Sequence, residues 1–165
     1  MYNISHLYNI QSYKEAHAMK LKLLDALLRL YEQNFRNLHW NAVGEDFNDS
    51  HKSISTEYYE MLSKDVDFIA EVLCIYNTNP VNYMEAAEMI SSAENKYLLV
   101  ESGRKYTRKE ICEYADVMFK DICKLLSEVI TQIQNPMDAG IKSELETMLY
   151  RYTLQSRYIN ARRLQ

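Results

Sequence analysis

The sequence predicts an all-α fold, a four-helix bundle with a long crossover between its second and third helices. Three observations carry that expectation. Among 165 residues there are only three glycines and two prolines, so most of the chain runs without a helix breaker. Apolar residues recur at steps of three and four along four long stretches. The connection between the second and third stretches, Asn77 to Lys105, is unusually long for antiparallel neighbours and long enough to cross the bundle from end to end.

The first helix is expected to open at Ser12-x-x-Glu15, a capping-box pattern, leaving residues 1–11 as an N-terminal extension. Its apolar stripe runs through Ala16, Leu23, Leu24, Leu27, Leu30, Tyr31, Phe35 and Leu38, and it ends between Asn41 and Gly44. The second starts around Asn48-Asp49-Ser50, three good N-cap residues, and carries Ile54, Tyr58, Met61, Leu62, Ile69, Val72 and Leu73 to about Tyr76. Asn77-Thr-Asn-Pro80 stops it. The crossover is expected to hold a short helix at Tyr83–Ile90. The third helix opens at a second capping box, Thr107-x-x-Glu110, runs through Val117, Leu125, Leu126, Val129 and Ile133, and breaks at Asn135-Pro136. The fourth runs from Asp138 through Leu145, Leu149, Tyr152, Leu154 and Ile159 to the C-terminus. Two helices, a crossover and two more helices is the connectivity of a ferritin-like bundle.

Composition narrows the function. The length suits one domain, residues 1–165, with enough chain to bury a core. A net charge of −4 argues against a generally basic nucleic-acid surface. The three widely spaced cysteines, Cys74, Cys112 and Cys123, fit a reducing, cytoplasmic setting better than a disulfide framework, and form no Cys-x-x-Cys pair for structural zinc. No apolar run reaches the length of a membrane span, and the N-terminus has no basic segment followed by an apolar one. Tyrosine is abundant, 14 copies against one tryptophan; amphipathic packing accounts for that, and scavenging of radical equivalents becomes relevant only beside an oxidising centre.

One constellation carries chemistry. His39 and His51 are followed by Asp67 and Glu71, the ligand set of a borderline divalent metal such as iron or zinc. Asp67 and Glu71 are four apart and share a helix face. His51 lies sixteen residues before Asp67, roughly 24 Å along one helix. One chain does not then close all four around one ion. Either there is no site, with the histidines packed and the carboxylates on a solvated face, or the site forms where two subunits meet. The usual bundle di-iron motif, Glu-x-x-His, is not available: Asn3, Lys14, Arg36 and Asn48 stand three before the four histidines.

Leu38-His39-Trp40-Asn41, Gly44-x-x-Phe47, His51 and Asp67-x-Ile-Ala-Glu71-x-Leu resemble the signature of the Dps family, the DNA-protection-during-starvation miniferritins. Asn79-Pro80-Val81 is similar to that family's Gly-x-Pro-Val turn, and the match spans roughly residues 27–90. The resemblance implies a ferroxidase centre at a two-fold interface, His39 and His51 coming from one subunit and Asp67 and Glu71 from its mate, inside a hollow dodecamer. It implies that these four residues bind Fe(II), with zinc or manganese as alternatives, and that Trp40 lies beside the centre as a catalytic neighbour. Asp138, Glu144 and Glu146 resemble the acids of an iron-entry pore, although helix N-terminal acids are also favoured by the dipole.

The sequence departs from the family in three places. It carries one extra residue somewhere in Lys52–Asp65. On a regular helix that rotates the downstream residues by about 100°, which a single π-turn would absorb, as would an irregular helix start just after His51. Where the family often has a further acid four residues after the second histidine, this chain has Ser55, with Glu57 as a candidate substitute. The Lys/Arg-rich tail through which some members bind DNA is missing: residues 1–11 hold no Lys or Arg, and Arg162-Arg163 fits a helix C-terminus. The expectation is therefore an iron-oxidising, iron-storing homo-oligomer protecting against peroxide. The alternatives are a structural or partner-binding protein with an impaired metal site and, more weakly, a nucleoid protein.

Overall fold

The computed structural model describes the backbone of residues 4–165 and the side chains from residue 17 onward, those of Ser53 and Ser55 excepted. Four long helices form the bundle. α1 spans Ile4–Trp40, so residues 4–11, expected as an extension, are already helical and Ser12 is not the helix start. The side chains of the expected Ser12/Glu15 capping box lie outside those described. A turn leads to a π-helical stretch, Asp49–Ile54, which runs directly into α2, Ser55–Ile75. The crossover carries α3, Tyr83–Ser92, close to its expected place. α4 is Arg108–Gln132, and a 3₁₀ turn at Pro136–Asp138 precedes α5, Ala139–Leu154. A second π-helical stretch, Gln155–Asn160, joins α5 to the short α6, Ala161–Arg163.

The helix ends follow from their residues. Asn77 stands at φ 54°, and its N–H and that of Thr78 bond back to the Cys74 and Leu73 carbonyls at 3.0 and 2.9 Å. This is a Schellman stop, with asparagine in the left-handed position that glycine usually takes. Asn82 caps α3 by accepting from the Glu85 N–H, and the Thr107/Glu110 capping box is fully formed.

The core lies along the bundle axis. Leu24, Leu27, Leu28, Tyr31, Phe35 and Leu38 of α1 pack on Tyr58, Leu62, Ile69 and Leu73 of α2; α4 adds Ile111, Met118, Phe119, Ile122 and Leu126, and α5 Leu145, Met148 and Tyr152. Val117, placed on the apolar stripe by its spacing, is instead 45% exposed, because the buried face of α4 runs through Met118 and Phe119.

Polar pins hold the crossover on α1. Asp25 is fully buried, accepts from the Val81 N–H at 3.0 Å and pairs with Arg29 at 2.9 Å. Asn34 donates to the Leu98 carbonyl at 2.8 Å and accepts from the Val100 N–H at 3.3 Å. Where the crossover ends, Tyr106 exchanges backbone bonds of 2.9 Å with Val43 and Asn41. That isolated parallel bridge fixes the turn between α1 and the first π stretch, and with it the two histidines on either side of that turn.

Candidate metal centre

α1 delivers His39 in its last turn, and the first π stretch delivers His51. The rings stack at 3.9 Å between centroids, 16° from parallel. Phe47 stacks on the other face of this pair against His51, at 4.9 Å and 15°. Tyr59 meets His39 edge-on at 5.5 Å, and the Arg36 guanidinium lies over Tyr59 at 4.5 Å.

The Nδ1 atoms are both engaged. His51 Nδ1 lies 2.9 Å from the His39 carbonyl oxygen, which only accepts, so that nitrogen carries the proton. Its Nε2 is left with a free lone pair, the usual second-shell arrangement of a metal-binding histidine. His39 Nδ1 lies 3.4 Å from the Thr56 hydroxyl, which itself donates to the His51 carbonyl at 3.1 Å. Burial holds the His39 imidazole below its ordinary pKa, and the neighbouring charges of His51 and Arg36 push the same way. His39 is therefore neutral at pH 7, the form that binds metal.

The π stretch, Asp49–Ile54, overlaps the start of Lys52–Asp65, the segment in which one extra residue was expected. Widening the turn over Asp49–Ile54 keeps His51 against His39 while the chain continues into α2 in register with the core at Ile54, Tyr58 and Leu62. Thr56, five residues after His51, faces the imidazoles, and Glu57 does not. Sequence reasoning missed Thr56; placing the extra residue within the π turn would have found it. Glu57 points elsewhere: it accepts from Gln155 Nε2 at 3.1 Å and from Arg163 at 3.3 Å.

Asp67 and Glu71 stand one turn apart on an exposed face of α2 and make no ion pair or hydrogen bond among the described residues. Within one chain they are not brought to the histidines. Among the described residues, no three His, Cys, Asp or Glu side chains converge as a metal site. Two large aromatic side chains near the histidines in the chain are exposed, Trp40 at 61% and Phe47 at 42%, among the charged and polar residues of the turn. Of the expected pore acids, Glu144 and Glu146 are exposed on different faces of α5, and Asp138 is half-buried at its start.

Neither family models nor curated proteins match this chain. Solved structures do. CAIP of Helicobacter cinaedi is 23% identical, with a TM-score of 0.77 over 90% of this chain and 99% of that one. Dps of Staphylococcus aureus is 21% identical, with a TM-score of 0.77 over 92% and 96%. The chain has the Dps-type ferritin-like fold. A third structure, Dps of Vibrio cholerae, is described as belonging to a broad superfamily of ferritin-like diiron-carboxylate proteins; it is 17% identical, with a TM-score of 0.77 over 91% and 90%. At these identities the likeness is one of fold. Among the described residues, no helix of this Dps-type bundle is long and apolar enough to cross a membrane.

Proposed function

We propose that the chain pairs about a two-fold axis and oxidises Fe(II) at two centres in that interface, each built from His39 and His51 of one subunit and Asp67 and Glu71 of the other. The observation that carries this reading is the stacked imidazole pair, Nδ1 atoms tied down, beside the exposed aromatic side chains of Trp40 and Phe47. Half a ligand set preorganised on such a surface fits completion by a second copy.

Iron is the substrate. Near-parallel rings 3.9 Å apart do not turn both lone pairs onto one ion at about 2.1 Å. They suit two ions roughly 3.5–4 Å apart, the spacing of two-metal sites. Carboxylates from the mate favour the ferric product, and two neighbouring irons allow peroxide to be consumed by two electrons. Each Fe(II) loses one electron, and one peroxide with two protons becomes two waters, so hydroxyl radical is not released. Dioxygen is the alternative oxidant, and zinc and manganese compete for the same ligands. Shell assembly, with twelve subunits as in the family the sequence resembles, would store the ferric product within a cytoplasmic protein. Asp138, Glu144 and Glu146 are its candidate entry acids.

A second reading, a scaffold with a weakened centre, is favoured by one observation: an uncharged Thr56 faces the histidines while Glu57 is committed to Arg163 and Gln155. Anaerobic Fe(II) titration followed by peroxide, with particle mass measured on the same sample, separates the two. Rapid ferric formation by a large oligomer supports the ferroxidase; oxidation no faster than in buffer supports the scaffold.

A further inference from the structure

A second concave site lies on the opposite helix pair, between α4 and the second π stretch. Its cavity, about 440 Å³, is lined by Lys120, Cys123, Lys124 and Ser127 of α4 and by Thr153, Ser156 and Arg157 across from them. None of these residues belongs to the metal centre. On α4, Lys120 and Lys124 are one turn apart, as are Cys123 and Ser127, so all four share a face.

The charge is unbalanced. Asp116 takes up Lys120 at 2.6 Å and accepts from the buried Ser156 hydroxyl at 3.2 Å. Lys124 and Arg157 make no ion pair among the described residues: Asp121 and Glu128, one turn either side of Lys124, are taken up by the Tyr31 hydroxyl and by Lys20. The Thr153 hydroxyl, 3.7 Å from Cys123 Sγ, makes only that weak sulfur contact and retains capacity for a better partner. The π turn is the second of the chain, and such turns recur at functional sites. Here it presents Arg157 to the cavity while keeping Gln155, Ser156 and Asn160 buried.

We propose that this cavity binds a phosphate dianion, free or as a small phosphate monoester, between the Arg157 guanidinium and the Lys124 ammonium. Two cations without an ion pair among the described residues suit the charge of about −1.5 to −2 that a phosphate monoester carries at pH 7. The guanidinium fork grips two phosphate oxygens and the lysine supplies a mobile point charge. Thr153 and the remaining protons of Lys120 are donors at the rim. The cavity exceeds one phosphate group, leaving room for the organic part of a monoester.

The test uses the full assembled protein with inorganic phosphate and glycerol phosphate as probes, titrated by calorimetry at constant ionic strength. Saturable binding is expected, weakened about tenfold or more in Arg157→Gln and in Lys124→Gln and unchanged in Lys142→Gln on α5. Thiol alkylation gives a second readout. Either probe should slow the reaction of half-buried Cys123, which lines the cavity, and leave exposed Cys74 unaffected. Absent saturation, equal affinity in the variants, or equal protection of both thiols overturns the proposal. So does retention of duplex DNA that falls in Arg157→Gln without small-phosphate binding, since it would assign the cations to a nucleic-acid backbone.

Discussion

His51 holds its ring against His39 by bonding Nδ1 to the carbonyl of His39 itself, at 2.9 Å. The two imidazoles are thus fixed by one backbone atom as well as by their 3.9 Å stack. That rigidity matters because a shared iron centre needs one half formed before a partner supplies the rest.

Changing Asp67→Asn or Glu71→Gln is expected to abolish iron oxidation and leave assembly and thermal stability within experimental error. Both side chains are exposed and unbonded among the described residues, so their loss removes ligands without opening the core. Stopped-flow ferric absorbance alongside light scattering checks this, and undiminished oxidation in both variants would refute the ligand assignment.

Thr56→Asp is expected to tighten Fe(II) binding by roughly tenfold, since a carboxylate accepting the Nδ1 proton of His39 makes the opposite ring nitrogen a more basic ligand. Isothermal titration under anaerobic conditions measures it. Unchanged affinity would mean that the partner of His39 Nδ1 does not tune the centre.

The pH dependence follows from lowered histidine pKa values. His39 is lowered first by burial, so it stays neutral below the ordinary 6.5, and metal affinity should persist until the pH falls through that depressed value. His17 is lowered chiefly by burial as well. A pKa lower in the folded than in the unfolded chain gives stability that is present above about 6.5 and lost as the pH falls towards the folded value. His17 is 7% exposed, lies edge-on to Tyr76 at 5.2 Å and has no hydrogen bond at either ring nitrogen among the described residues; Gln132 and Asp138 lie near enough only to moderate the shift. His17→Phe should therefore raise the melting temperature more at pH 5 than at pH 7.5. An equal effect at both values would show that His17 does not carry the acid sensitivity.

Asp25→Ala is expected to destabilise the fold by about 3 kcal/mol, because it strands Arg29 and the Val81 N–H that the buried carboxylate serves. Urea denaturation of the variant provides the value. A cost below about 0.5 kcal/mol, the scatter of ordinary surface changes, would show that the crossover is held elsewhere.

Most of the bundle was legible in the sequence because its signals are local. The Thr107/Glu110 box, the Asn77 stop and the helix in the crossover each depend on a few neighbouring residues, and each stands where expected. The helical backbone back to Ile4 was not, since the Ser12-x-x-Glu15 pattern pointed to a later start. The placing of Asp67 and Glu71 on one face was legible from spacing, and the pairing of His39 with His51 from the family resemblance. The role of Thr56 was not, because a π turn changes which residue faces the histidines without changing the composition of the segment. Glu57 misled for the same reason: its partners, Arg163 and Gln155, are about a hundred residues away along the chain.

The most direct test of the shared centre is complementation. A His39→Ala/His51→Ala chain and an Asp67→Asn/Glu71→Gln chain, each inactive alone, are co-expressed and purified as mixed dimers. In every mixed pair one interface site then carries both mutant halves and the other carries two intact halves. Recovery of about half the wild-type rate of ferric formation per dimer is the expected result. Mixed dimers as inactive as either parent would contradict a site shared between subunits.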